Sequence, residues 1–195
     1  MVLTNRTYTI VPILIMAFWH TGALSDCVPP PLPSYVLTTT SEKTQTFGSW
    51  DAYVDKDPEQ CWIVSNPIST IVSPDLDPDG FCRKTPNLSI LYQPDRNISG
   101  EVSFMSGFLF DTSKDIRLQI GDETFVFSVT DVQYAWLSNQ RKDEKILSLM
   151  KQRESFEIYS TASGGETVKD TFSLKGFNET LVSARTTCGP QFLGM

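Results

Sequence analysis

The stretch from Ile116 to Val129 constrains the fold most. Ile116, Leu118 and Ile120 alternate with polar neighbours, Gly121-Asp122 follows, and Phe125, Phe127 and Val129 resume the same period. A two-residue period places each triplet on one sheet face, and a Gly-Asp pair suits a tight hairpin turn. This segment therefore predicts two antiparallel strands.

The same pattern recurs on both sides. Trp50 to Val54 and Cys61 to Val64 read as strands joined by the polar turn 55–60. Residues 66–86 read as loop, because Pro67, Pro74, Pro78, Gly80 and Pro86 interrupt any regular ladder. Leu88, Ile90 and Tyr92 alternate again, and Val102 and Phe104 share a face after the turn 94–100. A helix is expected over 143–154, where Ile146, Leu147 and Met150 line one side and charged residues the other. Phe156, Ile158 and Tyr159 restart a strand, Gly164-Gly165 turns it, and Phe172 and Leu174 lie on the return. A last helix follows with Asn178 as N-cap; Phe177, Leu181, Ala184 and Cys188 fall on one stripe, so Cys188 faces the core. The expected fold is mainly β with two short helices, a β-sandwich or barrel-like antiparallel sheet, stapled by disulfides.

The 195 residues leave room for one ordinary domain of ~100–150 residues with a leader and a tail. Residues 1–25 read as a signal peptide: Arg6 gives a cationic start, Ile10 to Trp19 an apolar run short of a membrane span, and Ala23-Leu24-Ser25 a small-residue cleavage site. Leu24-Ser25-Asp26-Cys27 also has the outline of a lipobox, with acidic Asp26 where a small residue is expected; a lipid anchor at Cys27 is the minority reading. Residues 26–46, with Pro29-Pro30-Pro31 and Pro33 before a Ser/Thr-rich stretch, read as an extended tether. The folded domain is expected over 47–188, with 189–195 as a tail. These assignments place the mature protein in the periplasm, at the outer membrane or outside the cell.

Export limits the chemistry. His20, the one histidine of the chain, lies in the leader, so the mature protein has no imidazole for a Ser-His-Asp or Cys-His mechanism or for metal ligation. A net charge of -7, from 16 basic and 23 acidic residues, repels nucleic acid and anionic lipid at long range. Cys27, Cys61, Cys82 and Cys188 make an even set in an oxidising compartment and read as bridges; three pairings satisfy the count.

Asp75, Asp77 and Asp79 before Gly80 match the opening of a calcium loop, in which alternate carboxylates converge on one hard cation. The twelfth position is Pro86 instead of glutamate and Pro78 stiffens the middle, so a solvated acidic loop is preferred and no cofactor is assigned; calcium at these three residues is the alternative. The acid pairs Asp55/Asp57 and Asp143/Glu144 read as solvated surface, and Ser163-Gly164-Gly165 as a hairpin. Trp50, Trp62 and Trp136 read as core or interface rather than as an aromatic ligand site. Asn87, Asn97 and Asn178 stand in Asn-x-Ser/Thr triplets, relevant where a host glycosylates them.

Taken in order, several segments resemble the invasion-associated locus B family of exported bacterial proteins. They are Phe47-Gly48-Ser49-Trp50, Cys61-Trp62-Ile63-Val64-Ser65-Asn66-Pro67, Gly100-Glu101-Val102-Ser103 with Gly107-Phe108, Ala135-Trp136, Met150-Lys151, the run Asp170 to Phe177, and Cys188. The resemblance implies a periplasmic or outer-membrane-associated β-rich domain with no catalytic residues to carry over, linked in pathogenic members to host-cell entry; the leading expectation is a noncatalytic envelope protein that binds a protein or surface component. The resemblance also implies pairing of Cys61 with Cys188, leaving Cys27 and Cys82 for a second bridge. The alternative expectation is a periplasmic module binding calcium or a small ligand.

Overall fold

The protein is described by a computed structural model, which places residues 41–56, 59–74 and 81–188. Among these residues twelve strands and two α-helices follow in the order β1 (Glu42–Phe47), β2 (Trp50–Lys56), β3 (Glu59–Ser65), β4 (Ser69–Ser73), β5 (Asn87–Gln93), β6 (Ile98–Met105), β7 (Ile116–Ile120), β8 (Glu123–Phe127), β9 (Val129–Asp131), β10 (Tyr134–Trp136), α1 (Gln140–Met150), β11 (Ser155–Thr161), β12 (Thr167–Ser173) and α2 (Phe177–Thr187). They form a seven-stranded sheet, β1-β2-β3-β5-β6-β10-β9, and a five-stranded sheet, β4-β12-β11-β7-β8. Every neighbouring pair is antiparallel.

Period-2 alternation drives the assembly. On the larger sheet Ala52, Ile63, Ile90 and Val102 lie in one cross-strand row and are all buried. On the smaller sheet Leu118, Ile158, Asp170 and Val72 are buried along their strands. The two buried faces share one core, in which Phe104 of β6 meets Phe127 of β8 at 6.3 Å and Phe172 of β12 at 6.4 Å between ring centroids. The fold is thus the two-sheet form of the expected antiparallel architecture.

The helices close what the second sheet leaves open. α2 packs on β1, β2 and β3, and α1 on β6 and β7. Trp50 carries the α2 contact: its ring meets Phe177 edge-on at 5.1 Å, and its Nε1–H donates to the carbonyl of Ser173 at 2.9 Å. Cys61 and Cys188, the pair the resemblance implies, are bonded across 5.8 Å between Cα atoms and a sequence separation of 127. Cys82 is disulfide-bonded too; Cys27, the partner expected for it, lies outside the described residues. Bridged cysteines suit an oxidising compartment.

Two glycines explain why two separated motifs meet. Gly48 (φ 56°) and Gly176 (φ 84°) sit in turns that press backbone on backbone, Gly48 against the carbonyl of Lys175 and Gly176 against that of Phe47. Both φ values are in the left-handed region, and a Cβ at either position would collide with main chain. Phe47-Gly48-Ser49-Trp50 and Lys175-Gly176-Phe177 are therefore two sides of one contact, sealed by Ser49 N–H donating to the carbonyl of Lys175 at 2.9 Å.

Several boundaries differ from expectation. The sheet begins at Glu42, so residues 42–46, read above as the end of the tether, form an edge strand; its side chains are exposed and polar, which is why apolar periodicity does not mark it. Ser69–Ser73 is a strand inside the expected loop 66–86, an edge paired only with β12. α1 runs from Gln140 to Met150 rather than over 143–154, because Asn139 caps it by accepting from Lys142 N–H. The N-cap of α2 is Gly176, not Asn178, which lies inside the helix. The signal peptide, the Cys27 lipobox and the tail 189–195 lie outside the described residues.

Candidate functional site

The core faces of the larger sheet are fully used, so its opposite face is what β2, β3, β5, β6, β10 and β9 present outward. Strand register lays three rows across it. The first runs Lys43, Tyr53, Trp62, Leu91, Glu101. The second runs Asp51, Val64, Ser89, Ser103, Trp136, Val129. The third runs Asn87, Met105, Tyr134, Asp131.

Two aromatic pairs stand on this face. Tyr53 and Trp62, cross-strand neighbours, stack at 5.7 Å with planes 7° apart. Tyr134 and Trp136, two residues apart on β10, stack at 5.8 Å and 19°. All four side chains are half-buried, in contrast to Trp50, which is fully buried. The three tryptophans thus divide: Trp50 is core, while Trp62 and Trp136 belong to the outward face. Val129 beside Trp136 is 49% exposed. Between the pairs the face is mixed, with Leu91 and Met105 on the same side as Ser89 and Ser103, whose hydroxyls are hydrogen-bonded at 2.7 Å. Aromatic rings in this half-wet setting offer apolar area together with a polar edge, the combination enriched at binding surfaces.

The second feature is a cleft where β6 meets α1. Asn97, Ser99, Glu101, Ser138, Asn139, Gln140 and Asp143 line a cavity of about 200 Å3. Ser99 and Gln140 also border a second cavity of about 340 Å3, which continues past Glu144, Leu147 and Lys151 to Arg185 of α2. Asp143 is 5% exposed, and its Oδ1 accepts the backbone N–H of Val102 at 3.0 Å. The reason is local: β10 stops at Trp136 opposite Ser103, so the next N–H on that side of β6 has no strand to meet. Burial, with Glu101 and Glu144 nearby, pushes the Asp143 carboxyl up to about 6 against the pull of the Val102 N–H. Partial burial also raises the Glu101 carboxyl.

Glu101 and Asp143 share one cleft, but Asp143 is tied to the β6 backbone, and that structural duty accounts for its burial. Glu144 borders the neighbouring cavity, so the pair Asp143/Glu144 divides between two environments. Asp55 is 6% exposed and its Oδ2 has no hydrogen-bond partner among the described residues; Asp57 lies outside the described residues, as do Asp75, Asp77 and Asp79, the candidate calcium ligands. The outward placement of Tyr134 and Trp136 was legible only in the alternation around buried Ala135. The burial of Asp143 had no signal, because it depends on where β10 ends.

The Asp143 pKa carries a testable pH dependence. With a folded-state pKa of about 6 against an ordinary 3.8, the folded protein holds a proton that the unfolded chain releases between those values. Stability therefore falls as pH rises from about 4 to 6 and stays lower above. Asp143→Asn keeps the Oδ1 acceptor without the charge. It is expected to raise stability at pH 7.5 by about 1–2 kcal/mol, discounted for the open side of the cleft, and to change little at pH 4. Urea titrations at the two pH values check this.

No protein-family model matches this chain, and no curated protein does. Among solved structures it is similar to invasion associated protein B from Bartonella henselae, with 16% identity, a TM-score of 0.49, and coverage of 73% of this chain and 96% of that one. Agreement at this level carries no argument about activity.

Proposed function

We propose that this is a noncatalytic exported envelope protein of the invasion-associated locus B type, which acts by binding a protein or surface component through the outward face of its larger sheet. The observation that carries the reading is the pair of aromatic stacks, Tyr53/Trp62 and Tyr134/Trp136, on one face of a rigid sheet. Tryptophan and tyrosine dominate the energetics of binding surfaces, and a sheet holds them in place without an ordering cost. The order of the family-like segments in the sequence and the cysteine bridges support the class and the compartment.

The test is crosslinking in intact cells followed by mass spectrometry, comparing the native protein with Trp62→Ala/Trp136→Ala. Loss of two anchors is expected to weaken capture of the main crosslinked partner at least tenfold, about 1.4 kcal/mol or more, with the far-UV spectrum unchanged. Equal capture by both proteins would remove the reading.

A further inference from the structure

A sheet presents open backbone donors and acceptors along its end strands, and proteins guard such edges with charge, proline or cover. Among the described residues the end strands are β1 and β9 of the larger sheet and β4 and β8 of the smaller. β1 carries Glu42 and Lys43, β8 carries Glu123, which holds Lys145 at 2.8 Å, and β9 carries Asp131. β4 has no charged residue, and its neighbour among the described strands is β12 alone. Two large apolar side chains are left in water there: Ile71 at the centre of the strand is 56% exposed, and Ile68, just before it, 62%.

The sequence of the strand says what fits it. Ser69-Thr70-Ile71-Val72-Ser73 has the same character read in either direction, with serine at both ends, a β-branched residue inside each and isoleucine between. A two-fold axis through Ile71 therefore sets Ile71 opposite Ile71, Thr70 opposite Val72 and Ser69 opposite Ser73 of a second copy. Such self-complementarity is what a two-fold contact requires. β-branched side chains pack well across antiparallel strands, and in this register no like charges meet. One step further, exposed Ile68 falls opposite exposed Pro74, which lacks an N–H and so ends the ladder. An unrelated strand could add to the same edge, but nothing in it would call for the symmetry of this segment.

We infer that β4 is the contact through which two copies of this chain pair, antiparallel about Ile71, joining their five-stranded sheets edge to edge. An axis perpendicular to the sheet keeps the core faces on one side. Both larger sheets then lie on that side, and their aromatic faces turn the same way. A pair of binding faces presented together gains avidity on a repetitive surface. The seam is short, so the association is weak and depends on concentration.

Sedimentation of the disulfide-bonded protein from micromolar to submillimolar concentration tests this. The expected result is a reversible monomer–dimer equilibrium that Ile71→Lys, which sets a charge against its own image, weakens at least tenfold without changing the far-UV spectrum. Trp62→Leu/Trp136→Leu, on the other sheet, is expected to leave it unchanged. Cysteine variants read the register, because opposite residues of an antiparallel pair lie ~4.5–5.5 Å apart between Cα atoms, within reach of a disulfide. Ile71→Cys is expected to crosslink to itself on mild oxidation. Ser69→Cys and Ser73→Cys are expected to crosslink when mixed but not alone, since identical positions are four residues, roughly 13 Å, apart. A protein that stays monomeric over the whole range, as it would if another segment of the chain or a different protein occupied this edge, overturns the inference. So does a dimer that Ile71→Lys leaves intact, or crosslinking of Ser69→Cys to itself.

Discussion

Arg83→Met is expected to destabilise the protein by about 3–5 kcal/mol, because it strands a carboxylate in the core. Asp170 on β12 has a fully buried side chain, and Arg83 grips it with both prongs, Nη1 to Oδ1 and Nη2 to Oδ2, each at 3.0 Å. The same guanidinium donates from Nε and Nη2 to the carbonyl of Ser106 at the end of β6, at 3.0 and 2.7 Å, and lies 5.2 Å from the ring of Phe108. Thr70 on β4 donates its hydroxyl to Asp170 Oδ1 at 2.6 Å. One side chain next to the bridged Cys82 thus joins both sheets. Removing Arg83 alone leaves Asp170, among the described residues, with the Thr70 hydroxyl as donor and no counter-charge. Arg83→Met/Asp170→Leu removes both charges, and since the desolvation of a buried pair offsets most of its attraction, the double variant is expected to recover most of the loss. Urea unfolding checks this: with a slope of ~1–3 kcal/mol per molar, the single variant shifts the midpoint by about 1 M or more. A single-variant loss under about 1 kcal/mol would mean that the pair is solvated.

That ion pair shows where sequence reading stops. Asp170 lies in a strand whose other residues alternate by hydrophobicity, and on that pattern it occupies an inward position where a charge is out of place. The position was visible in the sequence, but its partner, 87 residues away, was not. Strand pairs such as β7 with β8 and β11 with β12 were legible because their turns are local and their registers follow from period-2 faces. The edge strands β1 and β4 were not: β1 is exposed and polar, with no apolar face to announce it, and the five residues of β4, with only Val72 buried in the core, lie between Pro67 and Pro74, which read as loop breakers. The helix boundaries slipped for a similar reason: the start of α1 is set by a side-chain cap at Asn139, while the apolar stripe begins later, at Ile146. For the candidate surface, Trp62 and Trp136 were recognisable as core or interface. Deciding between these needed the register that puts both opposite the faces of Ile63 and Ala135.

The Cys61–Cys188 bridge makes the second large prediction, and it tests how the ends of the domain are held. Cys61→Ala/Cys188→Ala is expected to lower stability by about 2–4 kcal/mol and the melting temperature by roughly 4–16 °C. In the chain-entropy account a closed loop of ~100 residues already corresponds to about 4.7 kcal/mol, so a bridge with a separation of 127 belongs at the upper end of that range. The native state has reason to survive the loss. α2 keeps Phe177 against Trp50, Gly176 against Phe47, and the buried side chains of Thr180, Leu181 and Ala184. The variant should therefore fold to the same far-UV spectrum and keep the binding of the outward sheet face, since Cys61 projects to the opposite side of β3 from Trp62. The loss should appear in the unfolding midpoint alone. If binding fell together with stability, the bridge would be shaping β3 itself, and the aromatic face would depend on the clamp behind it.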